Sequence, residues 1–255
     1  MKKKLQHLFP HMSEPTARLD SEVRTKTSLK LRPVDAATLI LVDAKLKKPK
    51  ILMGKRNKNL RFMPGKFVFP GGRVDPSDRV MLASGALSPR AEMRLMAQTS
   101  RMSPLKCRAL AMAAIRETFE ETGLMIGNGD YGRPDKAPAG SWLEFADQGL
   151  FPTPDALTFM ARAITPPGRP RRFDTRFFAA SLASVGGKVE RDIGADAELT
   201  ELVWVTVDEA FKLDLPVITQ VIIEELKERL VFGLDRDAPV PFYHERRGHF
   251  LRETL

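Results

Sequence analysis

The chain has a single cysteine, Cys107, in 255 residues, so no internal disulfide can brace it. No His or Cys stands at ligand spacing from Cys107, which therefore reads as a small packing residue. Histidine is scarce too. His7 and His11 lie near one end and His244 and His249 near the other, which argues against a zinc site. Aromatics make up 7%, with two Trp and two Tyr, and they do not interleave with basic residues as a base-stacking platform requires. No apolar run approaches the roughly 20 residues that span a bilayer. Lys2, Lys3 and Lys4 are not followed by the apolar stretch of a secretory signal before Pro10. There is no internal repeat and no low-complexity segment. These absences exclude disulfide scaffolds and membrane spans, and the expected address is cytoplasmic, with no membrane partner.

What is present is the composition of an ordinary globular protein: 43% hydrophobic and 29% charged residues. Lys+Arg number 41 against 32 Asp+Glu, a net charge of +9. Such a balance suits phosphorylated ligands or nucleic acid, and it equally suits a merely basic solvated surface.

Residues 1–33 carry scattered Lys and Arg with Pro10, Pro15 and Pro33 and little periodicity, the pattern of a mobile basic arm. A single domain is expected over 34–255. Ala36–Asp43 is a compact apolar run, and Ile51–Met53 restarts one after a Lys- and Pro-containing turn, predicting antiparallel strands. Leu60–Asp78, dense in Gly and Pro, reads as a shaped loop with a short strand at Lys66–Phe69. Helices are predicted at Pro89–Ser100 and Pro104–Thr122, and Gly123 supplies a left-handed stop to the second. Met112, Ile115 and Phe119 mark its buried stripe. Further helices are predicted at Ser141–Asp147, Pro154–Ala163, Val207–Leu213 and Pro216–Leu230, with strands at Arg172–Ser181 and Leu199–Thr206. The mixture points to an α/β domain with a mixed sheet.

The helix over 104–122 ends in Arg116-Glu117-Thr118-Phe119-Glu120-Glu121-Thr122-Gly123-Leu124. Glu117, Glu120 and Glu121 share one face, where like charges repel by about 0.2–0.5 kcal/mol per pair. They also sit at the end where the helix dipole disfavours anions. A solvated acidic face is one reading. The other is a site for a hard divalent cation, because Mg²⁺ takes carboxylate oxygens together with water and substrate phosphate.

Taken with Phe69-Pro70-Gly71-Gly72, this segment resembles the Nudix box, G-x5-E-x7-R-E-U-x-E-E-x-G-U, where U is aliphatic. Gly72 matches the first Gly, and Arg116, Glu117, Glu120, Glu121, Gly123 and Leu124 match the second half. Three departures are visible. Asp78 replaces the first Glu, Thr118 replaces an aliphatic residue, and the seven-residue spacer is 37 residues long here, 79–115. A box split in this way is similar to that of the branch related to the peroxisomal coenzyme A diphosphatases. The Arg61-x-x-x-Gly65-x-x-x-Phe69-Pro70-Gly71-Gly72 spacing, the stretch 170–178 and Trp204 carry the same resemblance, which covers about residues 35–245.

The resemblance implies an α/β/α sandwich with a mixed sheet, a helical insertion inside the box over 79–105, and a Mg²⁺- or Mn²⁺-dependent hydrolase of a nucleoside diphosphate linked to a moiety X. Glu117, Glu120 and Glu121 would ligate metal, Gly71 and Gly72 would place their loop carbonyls near it, with Gly72 on the metal side and Gly71 on the substrate side, and Arg116 would orient the acidic cluster. Asp78 would meet Arg116 or the metal. Glu198 is the candidate general base, with Glu201 behind it. Arg56, Arg61, Arg171 and Arg172 are the candidate phosphate ligands, since Arg makes bidentate phosphate contacts. The insertion is expected to form a flap beside the substrate cleft. The expected substrate is coenzyme A or an acyl derivative, cleaved to phosphopantetheine and adenosine 3′,5′-bisphosphate. The alternatives are an RNA 5′-end pyrophosphohydrolase, with nucleic acid the less favoured partner, and a non-catalytic Nudix-like binding module.

Overall fold

In the computed structural model of the chain, the structure describes residues 14–22, 31–45, 47–191, 193–194, 197–234 and 237–255. The Lys2–Lys4 run, His7, His11 and most of the expected N-terminal arm lie outside the described residues.

Strand β1 (Val34–Asp43) is the centre of the architecture. Its side chains alternate between two faces, as a strand requires. Ala37, Leu39 and Leu41 point into one apolar core. Ile40 and Val42 point into another. Both faces are therefore covered, which explains why this strand reads as a continuous apolar run rather than an alternating one. β2 (Lys50–Arg56) turns back antiparallel beside it, and β8 (Phe173–Ser181) lies parallel on its other side. Outward from β8 come β7 (Thr158–Ile164), β11 (Pro241–Arg246) and β12 (His249–Thr254). β10 (Leu199–Thr206) closes the opposite edge against β2. Two short strands, β3 (Phe67–Val68) and β4 (Gly71–Arg73), pair with β2 and β1. A separate three-stranded sheet holds β5 (Leu124–Asn128) between β6 (Phe151–Pro152) and β9 (Val185–Lys188).

The helices lie on the two faces. α1 (Pro15–Ser21) precedes the sheet, and α2 (Pro89–Met96) falls inside the long spacer. α3 (Pro104–Thr122) packs on the β1 face formed by Ala37, Leu39 and Leu41. Ser103 caps its first turn and accepts from the Lys106 N–H, Pro104 occupies the first turn, and Gly123 ends it at φ +74°. α4 (Ser141–Asp147) packs Trp142 and Phe145 beside Phe119 of α3. α5 (Val207–Ala210) follows β10, and α6 (Val217–Leu230) covers the opposite face through Val221, Ile222, Ile223 and Leu226. The result is an α/β/α sandwich on a mixed sheet.

One expectation is corrected. Pro154–Ala163 is not a helix: a 3₁₀ turn at Pro154–Ala156 leads into β7, whose middle five residues are all buried. A strand with both faces covered loses its two-residue alternation, so periodicity could not tell it from a short helix. The N-terminal segment is docked at 15–21, where Leu19 is buried, Arg18 pairs with Glu224, and Asp20 accepts from the Phe250 N–H. The spacer is packed onto the body of the domain. α2 packs against α3 and β7, Arg90 and Arg94 both bind Asp237, and Arg108 holds the carbonyls of Asp78, Arg79 and Met81.

Phe178 is fully buried between the sheet and α3. Phe178→Ala is expected to destabilise the fold by about 3–5 kcal/mol, the range for deleting a buried aromatic ring. Urea unfolding followed by circular dichroism measures it.

Candidate active site

Arg116 is 7% exposed and Asp78 is fully buried, so each ion needs the other. Arg116 donates from Nε to Asp78 Oδ1 at 2.8 Å and from Nη2 to Asp78 Oδ2 at 3.1 Å. Its Nη2 also donates to the Arg73 carbonyl at 2.8 Å. Its Nη1 donates to Glu117 Oε1 and Glu120 Oε2, both at 2.9 Å. Five bonds occupy the five N–H donors of the guanidinium. Asp78 accepts further bonds from the Asp75 N–H at 2.7 Å and Trp142 Nε1 at 3.1 Å. Of the two roles expected for Asp78, the structure shows the Arg116 contact.

Glu121 turns toward the Gly-rich strand, where its Oε2 accepts from the Gly71 N–H at 3.0 Å. A Cβ on Gly72 would overlap the Glu117 carboxylate, so glycine is needed there for space. The Glu120 carboxylate takes a second bond, from Ser141 Oγ at 2.6 Å. Glu198, at the mouth of β10, faces this group across a cavity of about 240 Å³. Its Oε1 is held by Arg56 Nη1 at 2.8 Å, and its side chain is 51% exposed.

Two of the carboxylates around this cavity have raised proton affinity. Burial, opposed by Arg116 and reinforced by Glu120, pushes Glu117 up to about 7. Burial and the charges of Glu198 and Glu117 hold Glu121 well above the usual carboxylate range. Such a group is stabilised by an added cation. Among the described residues no three acidic, His or Cys side chains are drawn into a closed cage. Glu117 and Glu121 instead each have one oxygen tied to the protein and another left over, while Glu120 accepts on both oxygens, from Arg116 and from the exchangeable Ser141 hydroxyl. That is the donor set of an open site whose remaining ligands are water and substrate, the manner in which Mg²⁺ is held. The residues fit the group.

The structure brings together Glu117, Glu120, Glu121, Gly71, Gly72, Arg116 and Glu198, with Arg56 behind Glu198. It does not bring in the other cations expected. Arg172 donates to the Thr165 and Leu31 carbonyls at 3.0 and 2.7 Å, so its donors serve backbone. Arg61 and Arg171 are exposed and neither lines the cavity. Glu201 pairs with Lys55 at 3.4 Å on the surface and does not line Glu198's cavity. Among the described residues the cation that does line the cavity is Arg191, which pairs with Glu144 and lies over the Phe119 ring at 4.4 Å. Arg191 stands in a loop with no motif, and no local signal singled it out.

No family model matches the chain. Solved and curated proteins do. The chain is similar to a crystal structure of a Nudix hydrolase from Alicyclobacillus acidocaldarius, with a TM-score of 0.57 and 27% identity over 77% of this chain and 91% of that one. It is 29% identical over 189 residues, 69% of its length, to a nudix hydrolase of Caenorhabditis elegans, covering 54% of that protein. It is 28% identical over 211 residues, 64% of its length, to an acyl-coenzyme A diphosphatase of Gallus gallus, covering 55% of that protein. The chain thus spans about half the length of the curated relatives it matches. Fold, split box and these likenesses agree in making the chain similar to Nudix hydrolases. Its curated likenesses include the coenzyme A diphosphatase type.

Gly72→Ala forces Glu117 out of its place without touching the core. Mg²⁺ affinity, measured by calorimetry, is expected to fall about 10–100-fold, as when a ligand loses its orientation, with the circular dichroism unchanged. Asp78→Asn removes the charge that pairs with buried Arg116, and is expected to destabilise the fold by about 3–5 kcal/mol in urea unfolding.

Proposed function

We propose that the protein is a divalent-metal-dependent hydrolase that cleaves the diphosphate linkage of a nucleoside-diphosphate-X compound, with coenzyme A or acyl-coenzyme A as substrate. The observation that carries this reading is the convergence of Glu117, Glu120, Glu121 and Glu198 on one cavity, with Arg116 fixing two of them from behind. A pure binding module has no use for four carboxylates that repel one another.

Glu117, Glu120 and Glu121 would hold Mg²⁺ or Mn²⁺, which when bound neutralises phosphate charge and lowers the pKa of water. Arg116 keeps two of these carboxylates aimed at the cavity. Gly72 leaves room for Glu117, and the Gly71 N–H turns Glu121. Glu198, tied by one oxygen to Arg56, has its other oxygen to take the proton of the attacking water. That water adds to one phosphorus, the bridging P–O bond breaks, and the second phosphate leaves as a monoester. For coenzyme A the products are phosphopantetheine and adenosine 3′,5′-bisphosphate. Arg191, on the cavity wall and paired there with Glu144, would meet the additional 3′-phosphate by exchanging that partner, the role expected from sequence of Arg56, Arg61, Arg171 or Arg172. The similarity to an acyl-coenzyme A diphosphatase supports this substrate.

Glu120→Gln keeps the shape of the side chain and removes one ligand charge. Turnover of coenzyme A with Mg²⁺ is expected to fall about a hundredfold or more, while stability holds or rises slightly as repulsion is relieved. Near-full turnover in the variant would sink the ligand role. On a panel of coenzyme A, dephospho-coenzyme A and nucleotide sugars, with products identified by mass spectrometry, dephospho-coenzyme A is expected to be poorer by about tenfold or more, the worth of one charged hydrogen bond. Equal turnover of all three would replace coenzyme A by a broader nucleotide-diphosphate substrate class.

A further inference from the structure

A second cavity, of about 290 Å³, opens at the other end of α3. Lys106, in the first turn of that helix, lines it, while the carboxylate site begins at Glu117. Eleven residues of helix separate the two by about 16 Å. The walls come from the last part of the spacer and from the ends of β1, β7 and β8: Arg101, Lys106, Arg162 and Arg176 against Asp35 and Asp174. Four cations and two carboxylates leave a surplus of two positive charges.

The two buried arginines use their donors differently. Arg162 makes the paired contact of a guanidinium with a carboxylate, from Nε and Nη2 to the two oxygens of Asp174 at 2.8 and 2.7 Å. Arg176 is 1% exposed and makes its hydrogen bonds through Nη1 alone, to Asp35 Oδ1 and the Asp174 carbonyl, both at 2.8 Å. Its Nε is buried and has no acceptor. The Nε–Nη2 edge, the one that Arg162 gives to a carboxylate, is thus unclaimed on Arg176. Burying a guanidinium without satisfying that edge is costly, and its geometry matches the two oxygens of a carboxylate or phosphate. Arg101 has no acidic partner among the described residues, Lys106 Nζ donates to the Arg101 carbonyl at 2.7 Å, and both cations line the cavity. The amino-terminal end of a 19-residue helix adds its positive dipole to the same side.

We propose that this cavity is a second ligand site, one that takes a phosphate group on the free edge of Arg176 with Arg101 and Lys106 above it. It is separate from the carboxylate site and stands whether or not that site hydrolyses coenzyme A. The spacer thereby has a function of its own: its residues 98–102, with Lys106, complete an anion site that the sheet alone leaves half-built.

The test is calorimetric titration of the full chain with inorganic phosphate in EDTA, where no metal can bridge phosphate to the carboxylates. One phosphate per chain is expected, with affinity falling as salt rises. The double variant Arg101→Ala/Lys106→Ala changes only surface side chains, and is expected to weaken binding at least about tenfold with an unchanged circular dichroism spectrum. Arg176→Lys keeps the charge but removes the fork, and is expected to weaken binding as well. If that variant unfolds, the double variant still decides. AMP as a second probe separates the sources: tighter binding than inorganic phosphate marks a site for a nucleotide's phosphate, and equal or weaker binding marks one for the free ion. Absence of saturable binding, or binding unchanged in the double variant, overturns the proposal.

Discussion

The buried pair of Arg116 and Asp78 is the interaction on which the arrangement of the site depends. It joins the two halves of a box that the sequence separates by 37 residues. Asp78 is held by the Asp75 N–H and Trp142, and so fixes where the guanidinium lies. The guanidinium in turn fixes Glu117, Glu120 and the strand at Arg73. A buried ion pair adds little net stability, because desolvation offsets most of its Coulomb energy. Its value here is positional. Arg116 sets the direction of carboxylates that would otherwise splay apart to lower their repulsion.

Helix α3 carries opposite electrostatic tasks at its two ends. Its carboxyl-terminal turn gathers Glu117, Glu120 and Glu121 against the dipole, an arrangement eased by Arg116, which bonds two of them. Its amino-terminal turn sits beside Lys106, Arg101 and the buried arginines, with the dipole of the same sign. Both ends therefore bear more like charge than folding alone would select. Between them the helix is apolar nearly all round, with buried residues from Cys107 to Ile115, and this anchors the two charged ends.

The long spacer is accommodated by packing rather than by projecting into solvent. Arg108 ties its beginning to α3, and Arg90 and Arg94 tie its helix to Asp237. An insertion braced at three points holds the ends of the box at fixed spacing. That is how a split motif still closes into one site.

Much of this was legible in the sequence. The apolar run of β1, the capped helix 104–122 and the Glu117–Glu120–Glu121 face follow from local rules of burial, capping and helical spacing. The split box named both partners of the central ion pair. Other features were not legible. β7 reads as a helix because a strand covered on both faces has no alternation to show. Arg56 was expected among the phosphate ligands, and nothing in its neighbourhood says that Glu198, 142 residues away, holds it. Arg172 was expected among phosphate ligands and serves backbone carbonyls, whereas Arg191 lines the cavity with no motif around it. The unclaimed edge of Arg176 arises only because β8 lies parallel to β1 and sets Asp35 beside one nitrogen, 141 residues distant. Periodicity and caps are properties of neighbours in the chain, so the sequence alone determined the elements and the acidic face. The partner of a charged side chain is whichever group the sheet order and helix packing bring within about 3 Å of it, so the division of the arginines between structure and ligand was decided by the tertiary fold alone.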